Sequence, residues 1–97
     1  MQVILRVISG KCSGHKVWLR PHQSLQIGRT EWADLAVPDP QLSAIHFRVE
    51  SDESVCRLHD LNSTNGTYIN DARVFDHILR DGDLIRAGAT RFRVALV

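Results

Sequence analysis

Short stretches of alternating apolar residues, separated by turn residues about every 8 to 12 positions, dominate this sequence. The first stretch places Val3, Leu5 and Val7 on one side and ends at Ser9-Gly10. Alternate side chains of a β-strand point to opposite faces, so each stretch can bury one face. The 3.6-residue periodicity of helices is nearly absent. The pattern therefore predicts an all-β protein.

The turn residues divide the chain into ten predicted strands, at 3–8, 17–19, 25–27, 35–37, 45–50, 55–60, 67–69, 73–75, 84–86 and 91–96. The polar turn 51–54 makes a hairpin of the fifth and sixth. Pro38 and Pro40 limit the fourth, because proline lacks the amide hydrogen that a ladder needs. We predict two antiparallel sheets packed face to face, with loops at the ends. No linker or repeat interrupts this pattern, so we expect one domain over residues 1–97.

Composition excludes several classes of protein. Ninety-seven residues can bury an unaided core, and 12 Lys and Arg against 11 Asp and Glu leave a net charge of +1. Such a balance gives no long-range attraction to nucleic acid or lipid, and we expect neither as a partner. No stretch reaches the roughly 20 apolar residues of a membrane helix, and no leader with a cleavage site is visible. We interpret Cys12 and Cys56 as reduced thiols of a cytoplasmic protein, although one disulfide between them stays open.

Three predicted loops carry hydrogen-bond donors and no carboxylate, at 28–30, 43–46 and 62–67. A guanidinium, two or three hydroxyls and backbone amides suit a phosphate, because they can meet several of its oxygens together. Without further pattern, Arg29 is more often a solvated surface charge or a partner of Asp34 than a phosphate ligand. We expect no metal or cofactor.

Four sequence blocks resemble the forkhead-associated (FHA) domain in their order and spacing. They are Ile27-Gly28-Arg29, Ser43-x-x-His46, Asp60-Leu61-x-Ser63-x-Asn65-Gly66-Thr67-x-x-Asn70 and Asp81-Gly82-Asp83-x-Ile85. The match covers almost the whole chain. The resemblance implies an FHA/SMAD-like β-sandwich of about eleven short strands, whose loops at one apex bind phosphothreonine peptides.

The resemblance also implies a role for individual residues. Arg29 would pair with the phosphate, the Ser43 hydroxyl would donate to it, and Thr64 would supply another hydroxyl. Asn65 would hold the main chain of the peptide beside the phosphothreonine. The residues that would support the site structurally are Gly28, His46, Ser63, Gly66 and Asn70.

Three positions depart from the family pattern. Ala44 stands where many members have Arg or Asn, and Gln41 stands where some have a basic residue that selects the peptide side chain three positions after the phosphothreonine. Asp71 replaces a common glycine in a turn that tolerates Asp. These departures weaken the expectation of tight binding and of an acidic preference at that peptide position.

The leading functional hypothesis is a non-catalytic module that binds a threonine-phosphorylated protein, either a Ser/Thr kinase substrate or its own parent chain. The alternative is a phosphate-independent assembly domain that uses a sheet face or an edge strand. An enzyme is a third hypothesis, since Ser43, His46 and Asp60 have the residue types of a hydrolytic triad. No nucleophile elbow, Walker loop or HExxH sequence accompanies them, so we expect no catalytic residue.

Other polar and aromatic residues receive ordinary interpretations. We predict that Trp18 packs in the core or against a sheet, while Trp32 could flank the peptide groove or lie outside it. Arg86, Arg91 and Arg93 alternate with apolar residues and are interpreted as a solvated strand face rather than a nucleic-acid site.

Overall fold

The computed structural model describes residues 2–97. This part of the chain forms no helix and eleven strands: β1 (Val3–Val7), β2 (Lys16–Leu19), β3 (Ser24–Gly28), β4 (Leu35–Ala36), β5 (Phe47–Ser51), β6 (Cys56–Asp60), β7 (Thr67–Ile69), β8 (Ala72–Val74), β9 (Asp76–Ile78), β10 (Leu84–Ala87) and β11 (Thr90–Leu96). The all-β prediction is confirmed.

The strands form two sheets. The order of the six-stranded sheet is β2-β1-β11-β10-β7-β8, and that of the five-stranded sheet is β4-β3-β5-β6-β9. Every pair is antiparallel except β3 and β4, which pair parallel with Ile27 beside Leu35. The expectation of wholly antiparallel sheets is wrong at this pair. The turn closed by the Ala33 amide and the Thr30 carbonyl folds the connection back, so that β4 returns alongside β3.

The apolar faces of both sheets form the core, as the alternation predicts. In β1 the side chains of Val3, Leu5 and Val7 are buried. Phe47 of the five-stranded sheet meets Phe92 of the six-stranded sheet edge to face, with ring centroids 5.5 Å apart. Such aromatic pairs add to the stabilisation from burial alone. The sandwich thus holds the loops at its ends on a packed support.

Three local predictions differ from the structure. Strand β9 was not predicted, and β5 begins at Phe47 rather than at residue 45. The core position for Trp18 is wrong: this side chain is 57% exposed and lies opposite Ile4 on the outer face of the six-stranded sheet. The reason is the pleat of β2, because the buried neighbour Leu19 turns the side chain before it outward.

Cys12 and Cys56 are both free thiols in the structure, so no disulfide joins them. Burial raises the pKa of the Cys56 thiol to about 12. Between residues 2 and 97 no helix is long and apolar enough to cross a bilayer.

Candidate functional site

A groove of about 390 Å³ opens at one apex of the sandwich, where three loops meet. Its lining residues are Arg29, Pro40, Gln41, Leu42, Ser43, Ala44, Thr64 and Asn65. All four residues for which a ligand contact was predicted therefore lie around one concavity, although up to 36 positions separate them in sequence. In the part of the chain that the structure describes, no carboxylate lines this groove, so an anion can enter it without repulsion from the lining side chains.

The first two loops are held together through their backbones at Gly28. A Cβ at this position would lie 2.3 Å from the Ala44 carbonyl oxygen and 2.7 Å from the Ile45 Cα. Just beyond it, the Arg29 amide donates to the Ser43 carbonyl at 3.0 Å. Only glycine permits this approach, and it places Arg29 next to Ser43.

The Arg29 side chain is anchored at its base and open at its tip. Its Nε donates to the Leu42 carbonyl at 3.1 Å, and within residues 2–97 its two Nη groups have no hydrogen-bond partner. Asp34 instead accepts from the Gln26 amide at 2.7 Å. The alternative pairing of Arg29 with Asp34 is therefore wrong. An anchored guanidinium with free Nη groups is prepared to bind an oxyanion in a forked geometry.

His46 joins the second loop to the third. The fully buried ring accepts the Ser43 amide hydrogen at Nδ1, 3.1 Å away, and donates from Nε2 to the Gly66 carbonyl at 2.8 Å. Because an amide can only donate and a carbonyl can only accept, these partners assign the neutral Nε2–H tautomer. The ring thus fixes the distance between Ser43 and the 62–66 loop.

Asp60 organises the third loop from within. Its Oδ1 accepts the hydroxyls of Ser63 at 2.5 Å and Thr67 at 2.7 Å, and its Oδ2 accepts the Ser63 amide. The Ser63 hydroxyl in turn accepts the amide of Gly66, which has φ = +85°. These contacts shape the loop that presents Thr64 and Asn65.

The groove also has internal contacts among its predicted binding residues. The Thr64 amide donates to the Ser43 Oγ at 3.0 Å, so the Ser43 hydroxyl keeps its own hydrogen for a ligand. Asn65 Nδ2 donates to the Gln41 carbonyl at 2.9 Å. The hydroxyl of Thr64 and the carbonyl oxygen of the Asn65 side chain remain at the exposed edge of the groove.

Asn70 and Trp32 lie outside the groove lining. Asn70 stands at the opposite end of β7 from Gly66, where its amide group donates to Asp83 and accepts the Leu84 amide hydrogen. It therefore ties β7 to β10 at a distance from the lining residues. Trp32 is 79% exposed in the loop between β3 and β4.

Asp39 is a supporting residue that sequence reasoning missed. This buried carboxylate accepts the Gln41 amide at 2.9 Å, the Ala89 amide at 2.8 Å and the Thr90 hydroxyl at 2.8 Å. It thereby fastens the 38–42 wall of the groove to the turn between β10 and β11. Two of its partners lie 50 and 51 positions away, so local sequence carries no signal for this role.

A second concavity of about 400 Å³ lies beside the five-stranded sheet, away from the apical loops. Its lining includes the carboxylates Glu50 and Asp52 together with Arg57 and His22. Two carboxylates disfavour a phosphate there. In the described part of the chain, no group of three or more His, Cys, Asp or Glu residues is placed to hold a metal ion.

The hydrogen-bonded carboxylates of the buried Asp39 and the half-buried Asp60 predict an acid-sensitive fold. Burial raises the pKa of Asp39 and of Asp60, but hydrogen bonds to each carboxylate outweigh it and hold both values below the ordinary 3.8. A carboxyl group whose pKa is lower in the folded than in the unfolded protein stabilises the fold at pH values above its unfolded pKa. This stabilisation is lost as the pH falls through the folded pKa. We expect the melting temperature to fall steeply below about pH 4, where unfolded Asp begins to bind protons.

The Asp39→Asn variant checks this expectation. It should be less stable than wild type at pH 7 and should show a shallower loss of melting temperature between pH 5 and pH 2.5. Glu31→Gln, at an exposed position, is the matched control and should follow wild type. Parallel curves for wild type and Asp39→Asn would contradict the assigned role of this carboxylate.

Comparison with known proteins agrees with these features. The family model of the FHA domain matches residues 25–88. The protein FhaA of Mycobacterium tuberculosis is 40% identical over 84 residues, which are 87% of this chain and 16% of FhaA. This chain therefore spans only a small part of the length of that relative.

Two solved structures are similar over nearly the full chain. One, from a structural and functional study of phosphothreonine-dependent FHA domain interactions, has a TM-score of 0.91 and 38% identity, and covers 100% of this chain and 98% of its own. The other is the FHA domain of FhaA in complex with the intracellular domain of Rv3910, with a TM-score of 0.86 and 40% identity, covering 95% and 98%. With its eleven-stranded sandwich and matching sequence blocks, this chain belongs to the FHA domain family.

Proposed function

We propose that residues 1–97 form a single non-catalytic domain that binds threonine-phosphorylated protein segments through the apical groove. The observation that carries this proposal is the composition of the groove: the Arg29 guanidinium, the Ser43 and Thr64 hydroxyls and the Asn65 amide surround one concavity that lacks carboxylates. Only an anion with several acceptor oxygens uses all these donors together.

Arg29, Ser43 and Thr64 would bind the phosphate. A phosphate group carries nearly two negative charges at neutral pH, and each charge-assisted hydrogen bond contributes about 1.5 to 3 kcal/mol net. Three such contacts contribute about 4.5 to 9 kcal/mol, a range that reaches the roughly 8 kcal/mol of a micromolar complex only near its upper end, before the entropy of ordering the peptide is subtracted. We therefore expect an affinity in the micromolar range or weaker.

Asn65 would hold the peptide backbone. Its Nδ2 already donates to a main-chain carbonyl, that of Gln41, and its Oδ1 is open to accept a peptide amide. The Nδ2 group keeps a second hydrogen, so the side-chain amide still offers one donor and one acceptor, which match the two polar groups of an extended peptide. This contact would make the groove select a phosphorylated polypeptide over free phosphate.

The surroundings of His46 support a function without catalysis. Both ring nitrogens are occupied by backbone groups, Nδ1 by the Ser43 amide and Nε2 by the Gly66 carbonyl. Neither is left to take a proton from the Ser43 hydroxyl, and Asp60 is bonded to Ser63 and Thr67 instead. A base that cannot reach the nucleophile cannot activate it.

A known complex of one relative guides our proposal for the partner of this chain. FhaA binds an intracellular domain through its FHA domain. For this chain we propose a threonine-phosphorylated partner in the cytoplasm, either a substrate of a Ser/Thr kinase or a segment of its own parent protein.

Titration with matched peptides tests the proposed function. We expect a phosphothreonine peptide to bind with micromolar or weaker affinity and the unmodified peptide not measurably. The family resemblance implies a small apolar niche for the threonine methyl, worth about 0.8 kcal/mol, so the phosphoserine counterpart should bind about fourfold more weakly. Isothermal titration calorimetry gives the three affinities. Equal binding of the phosphorylated and phosphatase-treated peptides would instead favour the alternative of a phosphate-independent assembly domain.

A further inference from the structure

The outer face of the six-stranded sheet carries a concentration of positive charge that the groove does not use. Six of the 12 Lys and Arg residues occupy outward-facing strand positions there: Arg6, Lys16, Arg73, Arg86, Arg91 and Arg93. No outward-facing strand position of this sheet is Asp or Glu. We call these six residues the basic face. The overall charge of +1 conceals this uneven distribution.

The strand register places these cations in two adjoining rows. In the row nearer the groove, the side chains follow one another in the order Arg73, Tyr68, Arg86 and Arg91, each directly opposite the next. In the next row, Arg6 lies between its two partners Arg93 and Lys16. Residues directly opposite on antiparallel strands have Cβ atoms about 5 Å apart, and like charges at that separation are destabilising.

Nothing in the described chain neutralises these charges. Within residues 2–97, no carboxylate oxygen lies within 4.0 Å of a charged nitrogen of the basic face. On the other sheet, by contrast, Glu50 contacts both Arg48 and His59. Asp71 and Asp81 lie only in turns beyond the strand ends. A partner with negative charge would remove the repulsion that the sheet retains alone.

Three of the guanidinium groups are already held by contacts within the described chain. The Arg73 guanidinium lies 5.3 Å from the centroid of the Phe75 ring. The Arg86 guanidinium lies 4.1 Å from the centroid of the Tyr68 ring, and Arg93 Nη1 donates to the Gly82 carbonyl at 2.9 Å. Side chains that are ordered before binding lose less entropy on binding. Arginine on a flat face also binds carboxylates through two parallel hydrogen bonds.

The basic face begins beside the groove. Arg73 Nε lies 2.9 Å from the position that a Cβ of Gly66 would take. Gly66 directly follows Asn65, which lines the groove. A peptide that leaves the groove past Asn65 therefore reaches Arg73 within a few residues.

We propose that the basic face binds an acidic segment of the same phosphorylated chain that the groove holds. This inference rests on the proposed function and adds the chemistry of the sequence flanking the phosphothreonine. From β8 to β2 the face crosses five strand spacings. At about 4.8 Å for each spacing between strands, the face is about 24 Å wide, which is the length of roughly seven extended residues. Because carboxylates elsewhere nearly balance the charge, a short acidic segment fits better than a long polyanion.

The test compares phosphothreonine peptides that differ only in a flank. A tract of seven Glu and Asp residues, or seven Ser and Gly residues, is attached through four Gly-Ser residues on either side of the phosphothreonine. We expect one acidic arrangement to bind about tenfold tighter than its neutral counterpart at low salt, and this advantage to disappear near 0.5 M NaCl as charges are screened. Fluorescence anisotropy measures the affinities.

Arg6→Gln/Arg91→Gln should lose most of this advantage and keep wild-type affinity for the neutral peptide. Arg20→Gln/Arg57→Gln removes the same net charge elsewhere and should behave as wild type.

Equal affinities for acidic and neutral flanks would overturn the inference while leaving the groove intact, whereas failure of every phosphopeptide to bind would overturn the proposed function itself. A single-stranded RNA that binds tighter than the acidic peptides, and is lost in Arg6→Gln/Arg91→Gln, would also overturn it and assign the face to nucleic acid.

Discussion

Replacement of Arg29 by Ala is expected to weaken phosphothreonine peptide binding by at least about 30-fold, which corresponds to about 2 kcal/mol. Among residues 2–97, the Arg29 guanidinium is the only cation that lines the groove, so its removal leaves a doubly charged phosphate with hydroxyl and amide donors alone. Calorimetric titration of wild type and Arg29→Ala with one peptide measures the loss. The same variant should bind the unmodified peptide as poorly as wild type does.

Two further variants define what Arg29 contributes. Arg29→Lys keeps the charge without the fork, and we expect an affinity between those of wild type and Arg29→Ala. Arg20→Ala removes an exposed arginine that makes no side-chain hydrogen bond in the described chain and should bind like wild type. Melting temperatures of all variants confirm that the fold is retained. Undiminished binding by Arg29→Ala would contradict the assignment of the groove.

Replacement of His46 by Ala is expected to destabilise the fold by about 3 kcal/mol. The change leaves the Ser43 amide and the Gly66 carbonyl without partners, at about 1 to 3 kcal/mol for each buried group, and opens a cavity next to Phe47. For a domain of this size the melting temperature should fall by roughly 12 to 24 °C. Peptide affinity should fall as well, because Ser43 and the 62–66 loop lose their connection.

A volume-matched variant separates the hydrogen bonds from the packing. His46→Leu fills the space but offers neither donor nor acceptor, and we expect it to remain clearly less stable than wild type. His15→Ala, at an exposed position, is the control and should melt with wild type. Thermal unfolding followed by circular dichroism gives all three values. If His46→Leu were as stable as wild type, the bridging role of the ring would be refuted.

The two-sheet sandwich was predictable because several strands bury one face and alternate buried with less buried residues. Val3, Leu5 and Val7 show this in β1, and Phe92 and Val94 show it in β11. Strand β9 was missed because Asp76, His77 and Ile78 show no alternation of apolar and polar residues. Its partner β6 is remote in sequence, and the Asp76 carboxylate contacts the His59 ring of β6 only once the two strands pair. The formation of an edge strand of this kind depends on the neighbouring strand, so its own residues give little indication of it.

The groove was predictable only in part. The family blocks identified Arg29, Ser43, Thr64 and Asn65, and the structure brings them around one concavity. The supporting role of Asp39 was not predicted because two of its hydrogen-bond partners come from the turn between β10 and β11. Of the basic face, the sequence indicated only Arg86, Arg91 and Arg93 as a solvated strand face, since Arg6 becomes a neighbour of Arg93 only through strand pairing. Contacts between remote segments depend on register, which no local pattern records.

A ¹H–¹⁵N chemical-shift titration with a phosphothreonine peptide of neutral flanks tests the central claim most directly. We expect the largest shifts at the amides of Arg29, Ser43, Thr64 and Asn65, with little change along the basic face or at His22 and Arg57. The same peptide without phosphate should leave the spectrum unchanged. Largest shifts at residues remote from the groove, or equal shifts with the unphosphorylated peptide, would contradict the account.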